Sequence, residues 1–291
     1  CWRIAREVDL EKNLATARAA VAAALEAGIN FFDHADIYCE GRAEEIFGQV
    51  LRENPGLRER IVIGTKAGIR FAGEGGLDAP YRYDSSANHL VARCEQSLQR
   101  LGIEQIDLFQ IHRPDWLMDL DEVAAAFDRL HRAGKVRAFG VSNFSPAQVT
   151  LLQQAIAQPL VCNQIEVSLA QLGAFRDGTL DQCQSQRMTP LAWSPLAGGL
   201  LADGATSILR AQESYLPDPI VAELDRVAEA RPCGRTAVAL AWLLRHPARI
   251  VPIVGSAQPD RIHAAASALD LELTREEWYR LLAAGLSEPL R

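Results

Sequence analysis

"VRAFGVSNFSPAQVTLLQQAI", Val136 to Ile156, contains one complete structural unit of this chain. Val136–Ser142 is short, apolar and without polar alternation, as a strand buried on both faces requires. Ser145-Pro146 then opens a helix. The serine hydroxyl can accept a first-turn N–H, and proline at the first helical position sacrifices no hydrogen bond. Polar Ser142 and Asn143 stand at the junction. The unit is therefore strand, polar junction, helix, and the fold depends on how often it recurs.

It recurs throughout. Leu14, Ala17, Val21 and Leu25 share one helical face, and Gly28 stops that helix. "INFFD", ending at Asp33, is a strand. Ile46, Phe47, Val50 and Leu51 mark the next helix, closed by Asn54-Pro55. "RIVIGTK", ending at Lys66, is a strand, and Asp84 and Ser85 read as caps of a helix reaching about Leu101. "QIDLFQIH" ends at His112, and Val123, Phe127 and Leu130 mark a helix closed by Gly134. "LVCNQIEVS", "TPLAWS" and "RIVPIVGS" are further strands. Seven strands result, and "CWRI" reads as the end of an eighth that begins upstream. The alternation predicts an α/β fold of the (β/α)8 TIM-barrel type, a single domain over 1–291, with strand one truncated. An open doubly wound sheet is the other reading, weakened because no early strand is followed by G-x-G-x-x-G.

Composition narrows the function. The chain has 291 residues, 48% hydrophobic and 23% charged, enough for a sizeable core. A net charge of -7 with dispersed basic residues offers no electrostatic case for nucleic acid or an anionic membrane. The six cysteines form no C-x-x-C pair and read as free thiols of a reducing, cytoplasmic compartment. No apolar run is long enough for a membrane span. The partner expected is a small molecule, and oligomeric state is unreadable.

The chemistry gathers where strands stop. Asp33, Lys66, His112, Ser142 with Asn143, Gln164, and Trp193 with Ser194 each follow an apolar run. A lone aspartate there is usually a cap, and a lone histidine a packing residue. Six such coincidences on one expected rim point to a site. Tyr38 has an ordinary pKa of about 10, and a nearby Lys66 ammonium would lower it. Asp33 could hold Lys66, and His112 could orient a substrate oxygen. That set suits protonation of a carbonyl oxygen during reduction, with the hydride from a cofactor. The competing reading of "DHAD" is metal binding through His34 and Asp36. It lacks any supporting Cys/His cluster or H-x-x-x-H helix, so no metal is expected.

These residues resemble the aldo-keto reductase family, and within it the bacterial YdhF-like oxidoreductases. The likeness rests on "FFDHADIYCEGRAEEIFG", "IVIGTK", "DLFQIHRPD", "GKVRAFGVSNFSPAQ", "CNQIEVS", "LAWSPLAGGLL" and "TREEWYRL", in order along nearly the whole chain. The resemblance implies a barrel that binds NADPH without a Rossmann fold and reduces small aldehydes or ketones. It implies Tyr38 as proton donor, completed by Asp33, Lys66 and His112. Ser142, Asn143 and Gln164 would hold the nicotinamide carboxamide, and Trp193 would stack on its ring. Ser194, Leu196 and Gly198 would lie along the pyrophosphate. Gly255, Ser256 and Arg261 belong to the segment that reads the adenosine end, where Arg261 would meet a 2′-phosphate. Trp2 would lie near the nicotinamide, and Trp116 could line the substrate pocket. Two departures count against that 2′-phosphate contact: Gly255 stands where many members have a lysine, and Ala264 and Ala265 where some carry a Glu-Asn pair. With Arg261 in place, the resemblance still implies NADPH over NADH. A second function in the same family is an NADPH-binding regulatory or sensor subunit with little turnover, the Ser194–Pro219 loop clamping the cofactor. A barrel isomerase or lyase without nicotinamide is a third reading.

Overall fold

The computed structural model describes residues 1–204, 215 and 217–286. They fall into two compact units, Cys1–Asn163 and Gln164–Arg291.

The first unit repeats strand and helix as read above. Its elements are α1 (Leu10–Glu26), β1 (Phe31–Asp33), α2 (Arg42–Glu53), β2 (Val62–Ala67), the short strands β3 (Ile69–Arg70) and β4 (Arg82–Tyr83), and α3 (Ala87–Leu101). There follow β5 (Ile106–Ile111), α4 (Leu120–Arg132), β6 (Val136–Ser142) and α5 (Pro146–Ala155), and β7 (Leu160–Glu166) carries the chain across the boundary. The order β1-β2-β5-β6-β7 follows the sequence. The pairs β1–β2, β2–β5 and β5–β6 are parallel, with Asp33 opposite Gly64, Lys66 opposite Gln110, and Ile111 opposite Val141. This register brings the polar ends of β1, β2 and β5 together on one edge.

Local chemistry accounts for the helix starts. Ser145 forms a capping box with Gln148, as expected. Asp9 and Asp119 cap α1 and α4 through side-chain oxygens. The start of α3 differs from the sequence reading, because its N-cap is Ser86. Asp84 instead accepts the N–H and hydroxyl of Ser86, while Ser85 donates its N–H and hydroxyl to Asp115. Ser85 is thus recruited by distant Asp115, whereas Asp84 binds its near neighbour Ser86 and also accepts from Arg70. The stub "CWRI" also differs: Trp2–Ala5 is a 3₁₀ turn, not the end of a strand. Its backbone is satisfied locally, Ile4 N–H to the Cys1 carbonyl at 3.1 Å, with Ile4 and Ala5 buried. The glycine-rich segment Ala67–Tyr83 contains the antiparallel pair β3–β4. Two-residue strands are too short for periodicity to reveal.

The second unit holds α6 (Thr179–Gln186), β8 (Thr189–Trp193), α7 (Asp218–Glu229), α8 (Arg235–Leu244), β9 (Val251–Pro252), α9 (Pro259–Ala266) and α10 (Arg275–Gly285). β8 and β9 are parallel. The core centres on Trp242, fully buried on α8 and stacked on Trp278 of α10 at 5.1 Å. Each indole N–H donates to the other residue's backbone carbonyl, so neither polar group is stranded by burial. Thr274 and Glu277 form the capping box that starts α10, which explains the "TREEW" spacing. The Ser194–Pro219 loop lies partly outside the described residues. Among those described, no helix is long and apolar enough to cross a membrane.

Gly48 of α2 tests how tightly the first unit packs. By helix propensity alone Gly48→Ala should stabilise by about 1 kcal/mol. A Cβ there would sit 2.3 Å from the Arg100 carbonyl oxygen and 2.9 Å from that of Leu101. The clash is with backbone, so Gly48→Ala is expected to destabilise by about 1–3 kcal/mol in chemical denaturation.

Candidate active site

The site in the first unit is built on a buried ion pair. Lys66, near the end of β2, is 1% exposed. Its Nζ lies 2.7 Å from both oxygens of Asp33, the last residue of β1, and 2.6 Å from the His34 carbonyl. The parallel register of β1 and β2 delivers this meeting. Burial disfavours the ammonium, but Asp33 and Tyr38 more than offset that, and the Lys66 pKa lies above its ordinary value. The neighbouring Thr65 is also fixed. Its hydroxyl donates to buried Glu44 at 2.6 Å, and Arg100 donates to the same carboxylate at 2.7 Å.

Tyr38 lies over this pair, with Lys66 Nζ 5.1 Å from its ring centroid. It opens a 3₁₀ turn in which Cys39 and Glu40 have φ of 51° and 59°. Two successive non-glycine residues in the left-handed region hold the chain in a sharply defined path just after the phenol. His112 stands edge-on to Tyr38, ring centroids 6.0 Å apart. Burial, helped by Lys66 and Arg113, pushes its pKa down to about 2, so the imidazole is neutral.

One electrostatic expectation is corrected. Tyr38 was expected to be made more acidic, but its pKa is raised. Burial dominates, and Lys66 reverses only part of it. The resting group is a protonated phenol.

His34 and Asp36 are buried beside the site. His34 packs edge-on against Phe47 at 4.6 Å and is kept neutral by burial. Asp36 is pushed up to about 7 by burial, opposed by Arg93 at 3.6 Å. Among the described residues, no group of three or more His, Cys, Asp or Glu side chains could hold a metal.

The expected cofactor residues divide between the units. In the first, Ser142 is buried at the end of β6. Asn143 follows with φ of 61° and donates its amide to the Ser142 hydroxyl at 2.8 Å. Such an amide and hydroxyl are suited to a carboxamide. The Trp2 ring carries the guanidinium of Arg6 over it, 4.5 Å from the ring centroid. In the second unit, Gln164 is buried on β7 and Trp193 half-buried at the end of β8. Ser194, Ala197 and Gly198 have φ of 49°, 48° and 67°, giving Ser194–Gly199 a tight turn around half-buried Leu196. Ser256 accepts the Gln258 N–H, and the space around Gly255 is open. Arg261, exposed in the first turn of α9, makes no hydrogen bond or ion pair within the described residues. An unpaired guanidinium of this kind fits a phosphate.

Sequence reasoning missed four participants. The His34 carbonyl is backbone and leaves no sequence signal. Glu44 and Arg100 are far apart in sequence, and only packing makes them a pair. Arg113, just after His112, lies past the strand end, where no pattern marks it, although its charge acts on both Tyr38 and His112.

The match to known proteins defines the class. The family model described as "Aldo/keto reductase family" matches residues 2–285. The 6-dehydroglucose reductase of Novosphingobium aromaticivorans is 43% identical over 99% of this chain and 92% of its own. Oxidoreductase YdhF of Escherichia coli is 44% identical over 90% and 85%. A solved aldo/keto reductase from Klebsiella pneumoniae, in complex with NADP and acetate, is 30% identical with a TM-score of 0.73, covering 92% of this chain and 84% of that one. The protein is therefore an oxidoreductase with the α/β, (β/α)8 barrel class of fold. It belongs to the aldo/keto reductase family, whose members use nicotinamide cofactors and reduce carbonyl groups.

The ion pair is open to direct test. Lys66→Met leaves the Asp33 carboxylate buried without its cation and should cost about 3–5 kcal/mol of stability. Adding Asp33→Asn to the same chain should restore part of that loss in thermal unfolding, since the stranded charge is gone.

Proposed function

We propose that this protein is an NADPH-dependent reductase of small carbonyl compounds, with residues 1–291 forming one barrel domain and Tyr38 donating the proton. The observation that carries the reading is the protonated Tyr38 phenol above the Lys66–Asp33 pair and beside neutral His112. Neutral His112 donates a hydrogen bond to the carbonyl oxygen and orients it. Tyr38 gives that oxygen its proton as negative charge develops. Lys66 stabilises the resulting phenolate, and Asp33 with the His34 carbonyl holds Lys66 in place. When bound, NADPH supplies the hydride that no side chain can donate. Ser142, Asn143 and Gln164 are assigned to its carboxamide, and Trp193 to its ring face, with Trp2 nearby. Ser194, Leu196 and Gly198 are assigned to the pyrophosphate, and Gly255, Ser256 and Arg261 to the adenosine phosphate. The six free cysteines fit a reducing, cytoplasmic setting.

Relatives named 6-dehydroglucose reductase, 43% and 42% identical, favour a sugar-derived carbonyl as substrate. Purified protein should oxidise NADPH in the presence of reactive aldehydes, and Tyr38→Phe should lower kcat by about 10²–10⁴-fold with unchanged circular dichroism. Equal activity of Tyr38→Phe would remove the phenol from the mechanism. Arg261→Leu should reduce the preference for NADPH over NADH by about tenfold or more, measured as the ratio of kcat/KM values.

A further inference from the structure

Tyr38 is delivered by a turn that also carries a buried, poorly satisfied carboxylate. The Tyr38 N–H donates to the Ala35 carbonyl at 3.1 Å, and between these two residues Asp36 donates its own N–H to the Lys66 carbonyl at 2.9 Å. The Asp36 backbone is thus bonded to the end of β2. Its side chain is fully enclosed, yet neither carboxylate oxygen accepts a hydrogen bond from a described residue. What answers its charge is Arg93 of α3, whose Nε lies 3.6 Å from Asp36 Oδ2. An enclosed carboxylate without donors destabilises a fold, so an apolar or amide side chain would serve a purely packing position better.

Arg93 belongs to a series of ion pairs. Its Nη2 donates to Glu74 in the loop after β3, and Glu74 also accepts from Arg70 Nε at 3.3 Å. Arg70 Nη1 donates to Asp84 at 2.9 Å, and Asp84 accepts the N–H and hydroxyl of Ser86 at the start of α3. The series runs from α3 to the β3–β4 hairpin and back to α3, and it meets the Tyr38 turn at Asp36. Glu44 of α2 and Arg100 of α3 also face Asp36, and these two are bonded to each other at 2.7 Å.

We propose that Asp36 is a positioning residue for Tyr38: its ionised carboxylate, drawn to Arg93, ties the Tyr38 turn to α3 and the β3–β4 hairpin and so aims the phenol. This rests on the reductase reading above and adds the group that aligns its proton donor. Without the charge, the turn keeps its backbone bond to β2 but loses its hold on α3. Slack of about 1 Å at a reacting group can cost about 10²-fold in rate.

The charge comes and goes near neutrality. Burial holds the Asp36 carboxyl up to about 7, against the pull of Arg93 and Arg100 and with Glu44 and Glu74 acting in the same direction as burial. Below that pH the hold on Arg93 is weakened, and above it the hold is complete. Tyr38 stays protonated and His112 and His34 stay neutral on both sides of the step. Because the folded pKa is raised, ionising Asp36 lowers stability as pH rises from the ordinary 3.8 through about 7.

The test follows the single-turnover rate of NADPH oxidation with saturating glyceraldehyde or, if it reacts faster, propanal, from about pH 5.5 to 9. The wild-type rate should rise about tenfold around the Asp36 pKa. Asp36→Asn should stay at the low-pH level throughout, with KM values changed less than about twofold. At about pH 8 that variant should melt at the wild-type temperature or higher, a split that a packing role does not give. Arg93→Met should lose the same step, Arg93→Lys should retain it, and Asp36→Asn combined with Arg93→Met should be no slower than either alone. If Asp36→Asn does not fold, judged by circular dichroism, the contrast between Arg93→Lys and Arg93→Met decides. A wild-type rate without the step, a step that survives Asp36→Asn, or a rate that falls only together with the melting temperature overturns the inference and leaves the reductase reading standing. Failure of the wild type to reduce any carbonyl with NADPH removes the reductase reading, and this inference with it.

Discussion

A lysine ammonium enclosed by protein is tolerable only if its charge is answered at once, and Lys66 is answered three times. Both Asp33 oxygens and the His34 carbonyl lie within hydrogen-bond distance. Buried pairs of this kind rarely add stability over an apolar core, because desolvation consumes most of the attraction. What the arrangement secures is a fixed positive charge under Tyr38. The surrounding structure serves that placement: the β1–β2 register aligns the two partners, and the Thr65–Glu44–Arg100 network anchors the adjacent residue.

The consequence for Tyr38 is a division of labour between burial and charge. Burial keeps the phenol protonated at rest, which the proposed role of proton donor needs. In that proposal the ammonium acts on the state formed after the proton leaves, where a phenolate would otherwise be stranded in a poorly solvated site. His112 follows the same logic from the other side. Held neutral beside two cations, it can donate a hydrogen bond without adding a third positive charge. Barrels of this class hold functional groups on rigid strand ends and leave the loops beyond them free to vary.

Much of this was legible in the sequence, for a physical reason. Strands buried on both faces must be apolar throughout, so a polar residue at a strand end stands out. Asp33, Lys66, His112 and Ser142 were found in that way. Elements set by local bonding were equally readable, including the Ser145 cap and the Gly28 stop. One misreading arose where a distant residue took over a local group: Ser85 was drawn to Asp115 and ceased to cap α3. The stub at Trp2 curled into a turn through its own local bonding. Arg113 escaped notice because loop residues carry no periodicity.

By itself the sequence determined the alternation of strands and helices, the residue types at the strand ends and the family to which the chain belongs. These depend on short-range patterns, which the chain carries in its own order. The tertiary structure decided the protonation of Tyr38, the neutrality of His112 and the pairing of Glu44 with Arg100. Each depends on how much water is excluded and on which charge lies within a few ångströms, and both are properties of packing that linear order does not contain.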